Sequence, residues 1–352
     1  MSRVHLFYHP DLRLYDFGEG HPFRGDRFAK LVEHMKRYGL DEMVDFKKPL
    51  EANDEILKLV HSSEYLETVK QAEAHGRYLT MDTPVMPGAM QGARLIAGSG
   101  IAAADSLLDD ECDIAVTLGG LHHAGVSGGE GFCLVNDVAI TAKYLIEKKG
   151  LERVLILDTD AHQGNGTMDI FYSEPRVLFI SLHQDPRWLY PGKGFIHEIG
   201  VGDGRGRTIN VPMPVYSTDS HYRRALNEIC TPVIEEFQPQ ILIRNGGSDP
   251  HIQDILTNLG MDFPGLKMLG EYASNMSEKL EVKHIDMIAS GYGKLVNEGW
   301  LSLLCGVIGA EIPKDILELD KPFPHDMEIL DSKLDEVIKK AREFLKPYWN
   351  CF

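Results

Sequence analysis

The sequence predicts an α/β fold: one domain with a mostly parallel central sheet and helices on both faces. Three observations carry that expectation. Short runs of branched and aromatic residues recur along the chain, longer stretches with helical periodicity lie between them, and each short run ends in Gly, Asn, Asp, Ser or His. Alternation of this kind argues for parallel strands joined by crossover helices. The strands read as unbroken apolar runs, which suits strands covered on both sides.

In chain order, the first strand is Val4–Tyr8, and the first helix is Arg27–Tyr38, closed by Gly39. An Ala-rich helix is expected over Ala89–Leu108, a strand over Ile114–Leu118 and a helix over Ala139–Lys149. Strands follow at Val154–Leu157 and Val177–Leu182, a helix at Tyr222–Phe237, and strands at Ile241–Ile243 and Ile285–Ala289. From about Glu311 the chain becomes acidic and proline-punctuated, and Asp331–Leu345 then has an amphipathic helix pattern. We therefore expect a single domain over 1–352, with 311–352 a C-terminal helical appendage packed on it. No internal repeat or low-complexity stretch interrupts it.

At 352 residues, with 43% hydrophobic and 25% charged residues, the chain can bury a sizeable core. Its 36 Lys+Arg against 53 Asp+Glu leave a formal net charge of −17 and no basic block, which argues against nucleic acid as a partner. Five scattered cysteines without a CxxC point to a reducing compartment. The N-terminus lacks a signal-peptide pattern, and no apolar run approaches the roughly 20 residues a spanning helix needs. A cytoplasmic protein with no membrane partner is expected.

In parallel sheets the ligand site lies beyond the carboxyl ends of the strands. The strongest local signal there is Asp158-Thr159-Asp160-Ala161-His162, whose alternation puts Asp158, Asp160 and His162 on one face. Taken alone, it could equally be a hydrogen-bonded polar strand end. A second signal is His122-His123, between a strand and a glycine-rich loop running to Phe132-Cys133. Adjacent histidines in extended chain face opposite ways, so one acting as an oriented general base is easier to build than two ligands to one metal. Asn245-Gly246-Gly247-Ser248-Asp249 and Ser290-Gly291-Tyr292-Gly293 each follow a further strand. Any one of these could be a mere turn. Four polar, glycine-flanked segments after four strands are hard to explain as packing. Gly98-Ser99-Gly100, in contrast, lies inside a helical stretch and reads as close helix packing rather than a phosphate loop.

The residues resemble the zinc-dependent histone deacetylase family, with its acetoin-utilisation and acetylpolyamine-hydrolase relatives. The resemblance is carried by His122-His123-Ala124 with Gly131-Phe132-Cys133 and Asn136-Asp137, and by Arg153 to Tyr172 around Asp158, Asp160 and His162. Further matches are Tyr190-Pro191-Gly192, Asp249, Gly291-Tyr292 and, near the N-terminus, His21, Pro22, Arg24 and Arg27. It runs from near Tyr8 to about Gly309. It implies the arginase/deacetylase-like fold and one catalytic Zn²⁺, with Fe²⁺ as the alternative ion, held by Asp160, His162 and Asp249. An open coordination position is what a catalytic zinc requires. The resemblance makes His123 the general base, oriented by Asn165 where some members carry Asp, and His122 its electrostatic partner, held by Asp158. Tyr292 would donate to the oxyanion. Gly131, Phe132, Tyr190 and Leu256 would wall an acyl-lysine tunnel, and Asp82 would grip substrate backbone at the rim. A structural K⁺ would take Asp158, the Ser181 hydroxyl and carbonyls of Asp160, His162 and Leu182, since oxygen ligation suits a hard cation. Two positions depart from the family pattern: Ile255 stands where Pro is common, and Ser290 where Gly is usual.

The implied activity is removal of acetyl or acyl groups from lysine side chains of a peptide or protein. An acetylated polyamine or another small amide is the alternative substrate, with Glu130 and Asp185 as carboxylates that a polyamine could use. A binuclear manganese ureohydrolase would need carboxylates at 164 and 251, where Gly164 and His251 stand. A non-catalytic acyl-lysine binding protein should have lost a ligand, the base or the tyrosine, and none is lost.

Overall fold

The computed structural model describes residues 2–321 and 327–352. Residues 322–326, part of the proline-punctuated stretch noted above, lie outside the described residues. The fold is α/β, with an eight-stranded parallel central sheet flanked by helices, as the sequence predicts. In chain order the strands are β1 (Val4–Phe7), β2 (Asp45–Lys47), β3 (Tyr78–Thr80), β4 (Thr83–Pro84), β5 (Ile114–Thr117), β6 (Val154–Asp158), β7 (Val177–Gln184), β8 (Thr208–Met213), β9 (Ile241–Gly246) and β10 (Lys283–Ile288). β3 and β4 form a separate two-stranded ribbon. The chain divides into two compact units, residues 1–151, 165–170 and 284–289 in the first, and 152–164, 171–283 and 290–352 in the second.

In the first unit the strand order is β2-β1-β5-β10, all parallel. The helix Ala89–Leu108 packs on the helix Asp137–Glu147, which Asn136 caps by accepting from the Ala139 amide. A Cβ at Gly98 would overlap the Leu50 carbonyl, and one at Gly100 the Thr141 side chain. The Gly-Ser-Gly segment is therefore a close-packing feature, as expected. β2 is largely exposed and charged, which is why no apolar run announces it.

In the second unit the order is β9-β6-β7-β8, again parallel. β8 carries Pro212 and was not expected from its pattern; it is an edge strand of this unit's order, where a missing N–H is tolerated. The helix expected over 222–237 runs as Asp219–Ala225, a π turn at Leu226–Cys230, and Thr231–Phe237. Pro232 cannot donate within a helix, and the wide turn precedes it. Two long helices that the sequence reading passed over, Phe263–Leu280 and Val296–Ile308, pack closely. Their interior glycines disguise them: a Cβ at Gly270 would meet the Leu303 carbonyl, and one at Gly306 the Lys267 carbonyl.

The C-terminal helix is Met327–Leu345, burying Leu330, Leu334, Ile338, Ala341 and Leu345. Arg224 pairs with Asp331 and Asp335 across it. Beyond it, Trp349 is buried, donates Nε1–H to the Gly206 carbonyl at 2.9 Å, and has the Arg207 guanidinium over its ring at 4.8 Å. Trp349→Ala should therefore lower unfolding free energy by about 3–5 kcal/mol in urea titrations. A loss below about 1 kcal/mol would show that this tail is not part of the packed core.

Candidate active site

In the second unit, three parallel strands run in register, so that Asp158, the last residue of β6, lies opposite both Ser181 and Asn245. The chain leaving β6 carries Asp160 and His162, and the chain leaving β9 carries Asp249. All three are buried, and each offers a ligand atom within 4.8 Å of the others. His162 Nδ1 lies 3.0 Å from Asp249 Oδ2 and 3.2 Å from Asp160 Oδ1. Burial opposes charge on the imidazole, yet the two carboxylates outweigh it and push His162 up to about 10. Burial, then the neighbouring Asp160 charge, drives Asp249 well above the usual carboxylate range. Two carboxylates and one imidazole converging out of water form a donor set suited to a transition metal, with three protein ligands leaving room for more.

The segments carrying the donors are braced. The Asp160 amide donates to Asp158 Oδ1 at 3.2 Å, and Asn245 Nδ2 donates to the same oxygen at 3.2 Å. Ser290 donates its hydroxyl to Asp249 Oδ1 at 2.8 Å, and the Trp300 indole donates to the Ser290 carbonyl at 2.6 Å. The serine noted as a departure is thus a support for Asp249. Tyr292 is buried, its ring edge-on to His162 at 6.1 Å, and Tyr190, partly exposed, has its ring 6.5 Å from His162. Asp254 accepts from the Tyr292 amide at 2.6 Å and the Leu256 amide at 2.8 Å, a role the sequence reading missed. Burial raises Asp254 to about 7 against those two bonds. Ile255, exposed, adjoins Gly293.

Of the residues expected around K⁺, Ser181 is paired in register with Asp158 on the neighbouring strand. His183 Nε2 lies 2.9 Å from the Gly194 carbonyl, which only accepts, so Nε2 donates. In the neutral ring Nδ1 then accepts, and the Ser181 hydroxyl at 2.8 Å donates to it. That leaves the Ser181 oxygen with accepting lone pairs. Leu182, next in β7, is fully buried. His251, at a position where a second metal would need a carboxylate, is instead 3.0 Å from Asp320 and stacked on Phe263. Among the described residues, Asp160, His162 and Asp249 form the one group of metal-competent side chains.

The first unit holds the histidine pair. His122 Nε2 and His123 Nε2 are 3.1 Å apart, and His123 Nδ1 is 2.7 Å from Asn165 Oδ1. Asn165 in turn donates from Nδ2 to Glu130 at 2.6 Å. The preceding residues, Gly120 and Leu121, donate their amides to Asp137, which burial raises to about 6 against those bonds. Phe132 sits at φ +65 beside Gly131 at φ +56, and a Phe in the left-handed region is costly unless its surroundings fix it. They do: its amide donates to Thr83, and its carbonyl accepts from the Tyr15 hydroxyl at 2.6 Å. The ring meets His21 edge-on at 4.6 Å. Asp82, in the turn between β3 and β4, accepts from the hydroxyls of Thr80 and Thr83 through Oδ1, the turn role that Asp commonly takes.

Comparison with known proteins agrees with this fold. The HD domain of HDA15 aligns with a TM-score of 0.84 and 25% identity, over 98% of this chain and 97% of that one. A probable deacetylase of Archaeoglobus fulgidus is 34% identical over 362 residues, covering 99% of each chain. The acetoin utilization protein AcuC of Bacillus subtilis is 36% identical over 265 residues, 72% of this chain and 68% of that one. These likenesses define the class as a deacetylase, a hydrolase of amide bonds that acts on acetylated substrates. Residues 21–306 match the histone deacetylase domain family, and the chain belongs to that family.

Two outcomes follow. The protein should bind one transition-metal ion per chain, and Asp249→Ala or His162→Ala should lose it, as read by elemental analysis after desalting; full retention in both would exclude this donor set. Asp137 holds its proton more tightly folded (about 6) than in an unfolded chain, near 4. Its contribution to stability is therefore complete below about pH 4 and lost as pH rises through 6. The stability gap between wild type and Asp137→Asn, followed by denaturant titration from pH 4.5 to 7.5, should move against wild type as pH rises.

Proposed function

We propose that this protein is a zinc-dependent lysine deacylase, removing acetyl or longer acyl groups from lysine side chains of peptides or proteins. The observation that carries the reading is the buried Asp160, His162 and Asp249 set, with Tyr292 edge-on to His162. Bound there, Zn²⁺ supplies Lewis acidity to the amide carbonyl and lowers the pKa of water. His123, with Nδ1 committed to Asn165, has its lone pair on Nε2, 3.1 Å from His122 Nε2, and is assigned to exchange that contact for the attacking water, take its proton and pass it to the leaving amine. His122, whose Nε2 is 3.1 Å from His123 Nε2, is assigned as its electrostatic partner. Tyr292 donates its hydroxyl to the oxyanion of the tetrahedral intermediate. Gly131, Phe132, Tyr190 and Leu256 are assigned to the acyl-lysine wall, and the Asp82 oxygen not bonded by Thr80 and Thr83 to substrate amides at the rim. Structural K⁺ is assigned to Asp158, Ser181, Leu182 and the carbonyls of Asp160 and His162.

Peptide is favoured over polyamine because Asp185 is engaged at both oxygens by the Arg187 guanidinium, with Nε 2.9 Å from Oδ1, and Glu130 is bonded through Oε1 to Asn165. Five cysteines without a disulfide support a cytoplasmic setting, and the net charge of −17 speaks against nucleic acid. Among the described residues no helix is long and apolar enough to cross a membrane. The family match over 21–306 supports reading 1–352 as one deacetylase domain with 311–352 appended.

The test is turnover of the zinc-loaded protein on an acetyl-lysine peptide beside N-acetylputrescine. Chelator-sensitive preference for the peptide is expected. Preference for the polyamine would make this a small-molecule amidohydrolase. Tyr292→Phe and His123→Ala should each lower kcat by about 10²–10³ with zinc retained. Wild-type rates in either would overturn the assignment.

A further inference from the structure

We propose that Glu130 is a positioning residue for His123, acting through Asn165, so that a carboxylate stands behind a base whose immediate partner is an uncharged amide. This rests on the reading of His123 as the proton acceptor. The two ends of an Asn amide are alike in shape and opposite in hydrogen-bonding sense, so the neighbours decide which end points where. Glu130 Oε1 lies 2.6 Å from Asn165 Nδ2, and a carboxylate only accepts, so it selects the NH₂ end. Asn165 Oδ1 is thereby turned to His123 Nδ1 at 2.7 Å. A carbonyl oxygen cannot donate, so His123 donates from Nδ1 and its lone pair is on Nε2. With the amide reversed, the NH₂ would face Nδ1 and the ring proton would move to Nε2, the tautomer that cannot accept a proton there.

The placement of Glu130 is built. It opens the turn Glu130–Cys133, closed by the Cys133 amide donating to the Glu130 carbonyl at 2.9 Å, with positive φ at both central residues. Asn165, 4% exposed, opens the helix Asn165–Phe171. Charge adds to orientation: as His123 becomes imidazolium, a carboxylate one amide away stabilises it in a medium that screens little. The neighbouring groups that also act on this pair include His122 at 3.1 Å and, through His122, Asp137.

The experiment compares Glu130→Ala, Glu130→Gln, Asn165→Asp and the double variant Glu130→Gln/Asn165→Asp by kcat and KM on an acetyl-lysine peptide, with zinc content and circular dichroism confirming fold. Glu130→Ala should lower kcat roughly ten- to a hundredfold, part of the roughly 10²–10⁴ that a general base supplies, with little change in KM. Asn165→Asp alone sets two carboxylates against each other and should also lower kcat. Adding Glu130→Gln should then raise it, because the new amide donates to the new carboxylate. The same substitution thus lowers kcat in one background and raises it in the other. In protein labelled with ¹⁵N-histidine, the signal absent from His123→Ala should report Nδ1–H in wild type and lose that pattern in Glu130→Ala. Wild-type kcat in Glu130→Ala, equal effects of Glu130→Gln in both backgrounds, or an unchanged His123 tautomer would overturn the proposal. An inactive wild type would instead count against the deacylase reading, and the tautomer measurement would still decide the role of Glu130.

Discussion

Two carboxylates that must share a buried place with one imidazole set the terms for the second unit. Asp160 and Asp249 are each almost wholly removed from water, and His162 Nδ1 is within 3.2 Å of both. Like charges at such range in a medium of low polarity repel strongly, and a buried charge without a counter-charge costs several kcal/mol. A positive centre among them offsets that cost. The chain itself can offer one, the imidazolium of His162, which explains why that ring holds its proton up to about 10. A cation bound to the carboxylates competes with the same proton, because an imidazole ligand must be neutral. Metal affinity and pH are linked here by construction. Ser290, donating to Asp249 Oδ1, and the His162 amide, donating to Asp160 Oδ1 at 2.8 Å, keep the two carboxylates aimed while the charge among them changes.

In the first unit the constraint is geometric rather than electrostatic. A Phe at φ +65 would relax if its loop were loose. Two tyrosines prevent that. The Tyr15 hydroxyl donates to the Phe132 carbonyl and accepts from the Leu134 amide, while the Tyr65 hydroxyl donates to the Leu134 carbonyl. His61 braces the other end of the glycine-rich loop. It accepts from the Asn136 amide at Nε2 and so donates from Nδ1 to the Gly125 carbonyl, and burial lowers it to about 4, keeping it neutral. The glycine-rich segment is thus held on both sides by neutral groups whose hydrogen bonds do not change with pH near neutrality.

Much of this was legible in the sequence, for identifiable reasons. Apolar runs that end in Asp158, Asn245 and the glycines before His122 follow from burial of parallel strands, and a polar residue at such an end has few bland explanations. What stayed hidden was of two kinds. Elements whose pattern serves packing were masked, such as the helices Phe263–Leu280 and Val296–Ile308, whose glycines look like breakers but admit a neighbouring backbone. Residues whose role depends on a partner far along the chain had no local signature. Asp254 lies 38 residues from the Tyr292 amide it holds, and Ser290 lies 41 from Asp249. No periodicity encodes such a pairing. Ser290 at least departed from the expected Gly, and its hydroxyl supplies the reason.

The same dependence on partners bears on substrate. An excess of seventeen negative charges attracts any cationic ligand at long range, so it cannot separate a lysine-rich peptide from a polyamine. Discrimination has to come from contacts of a few ångströms, where each carboxylate is judged by what already occupies it. Asp185 receives Nε and the terminal nitrogen of Arg187, a fork that matches a carboxylate bidentately and holds it below the usual range, burial notwithstanding. A free ammonium would have to displace that guanidinium. Glu130, bonded to Asn165 through Oε1, would have to share its charge between that amide and the ammonium. A polyamine drawn to Asp185 would therefore compete with a bidentate guanidinium, and one drawn to Glu130 with the Asn165 amide for the same charge.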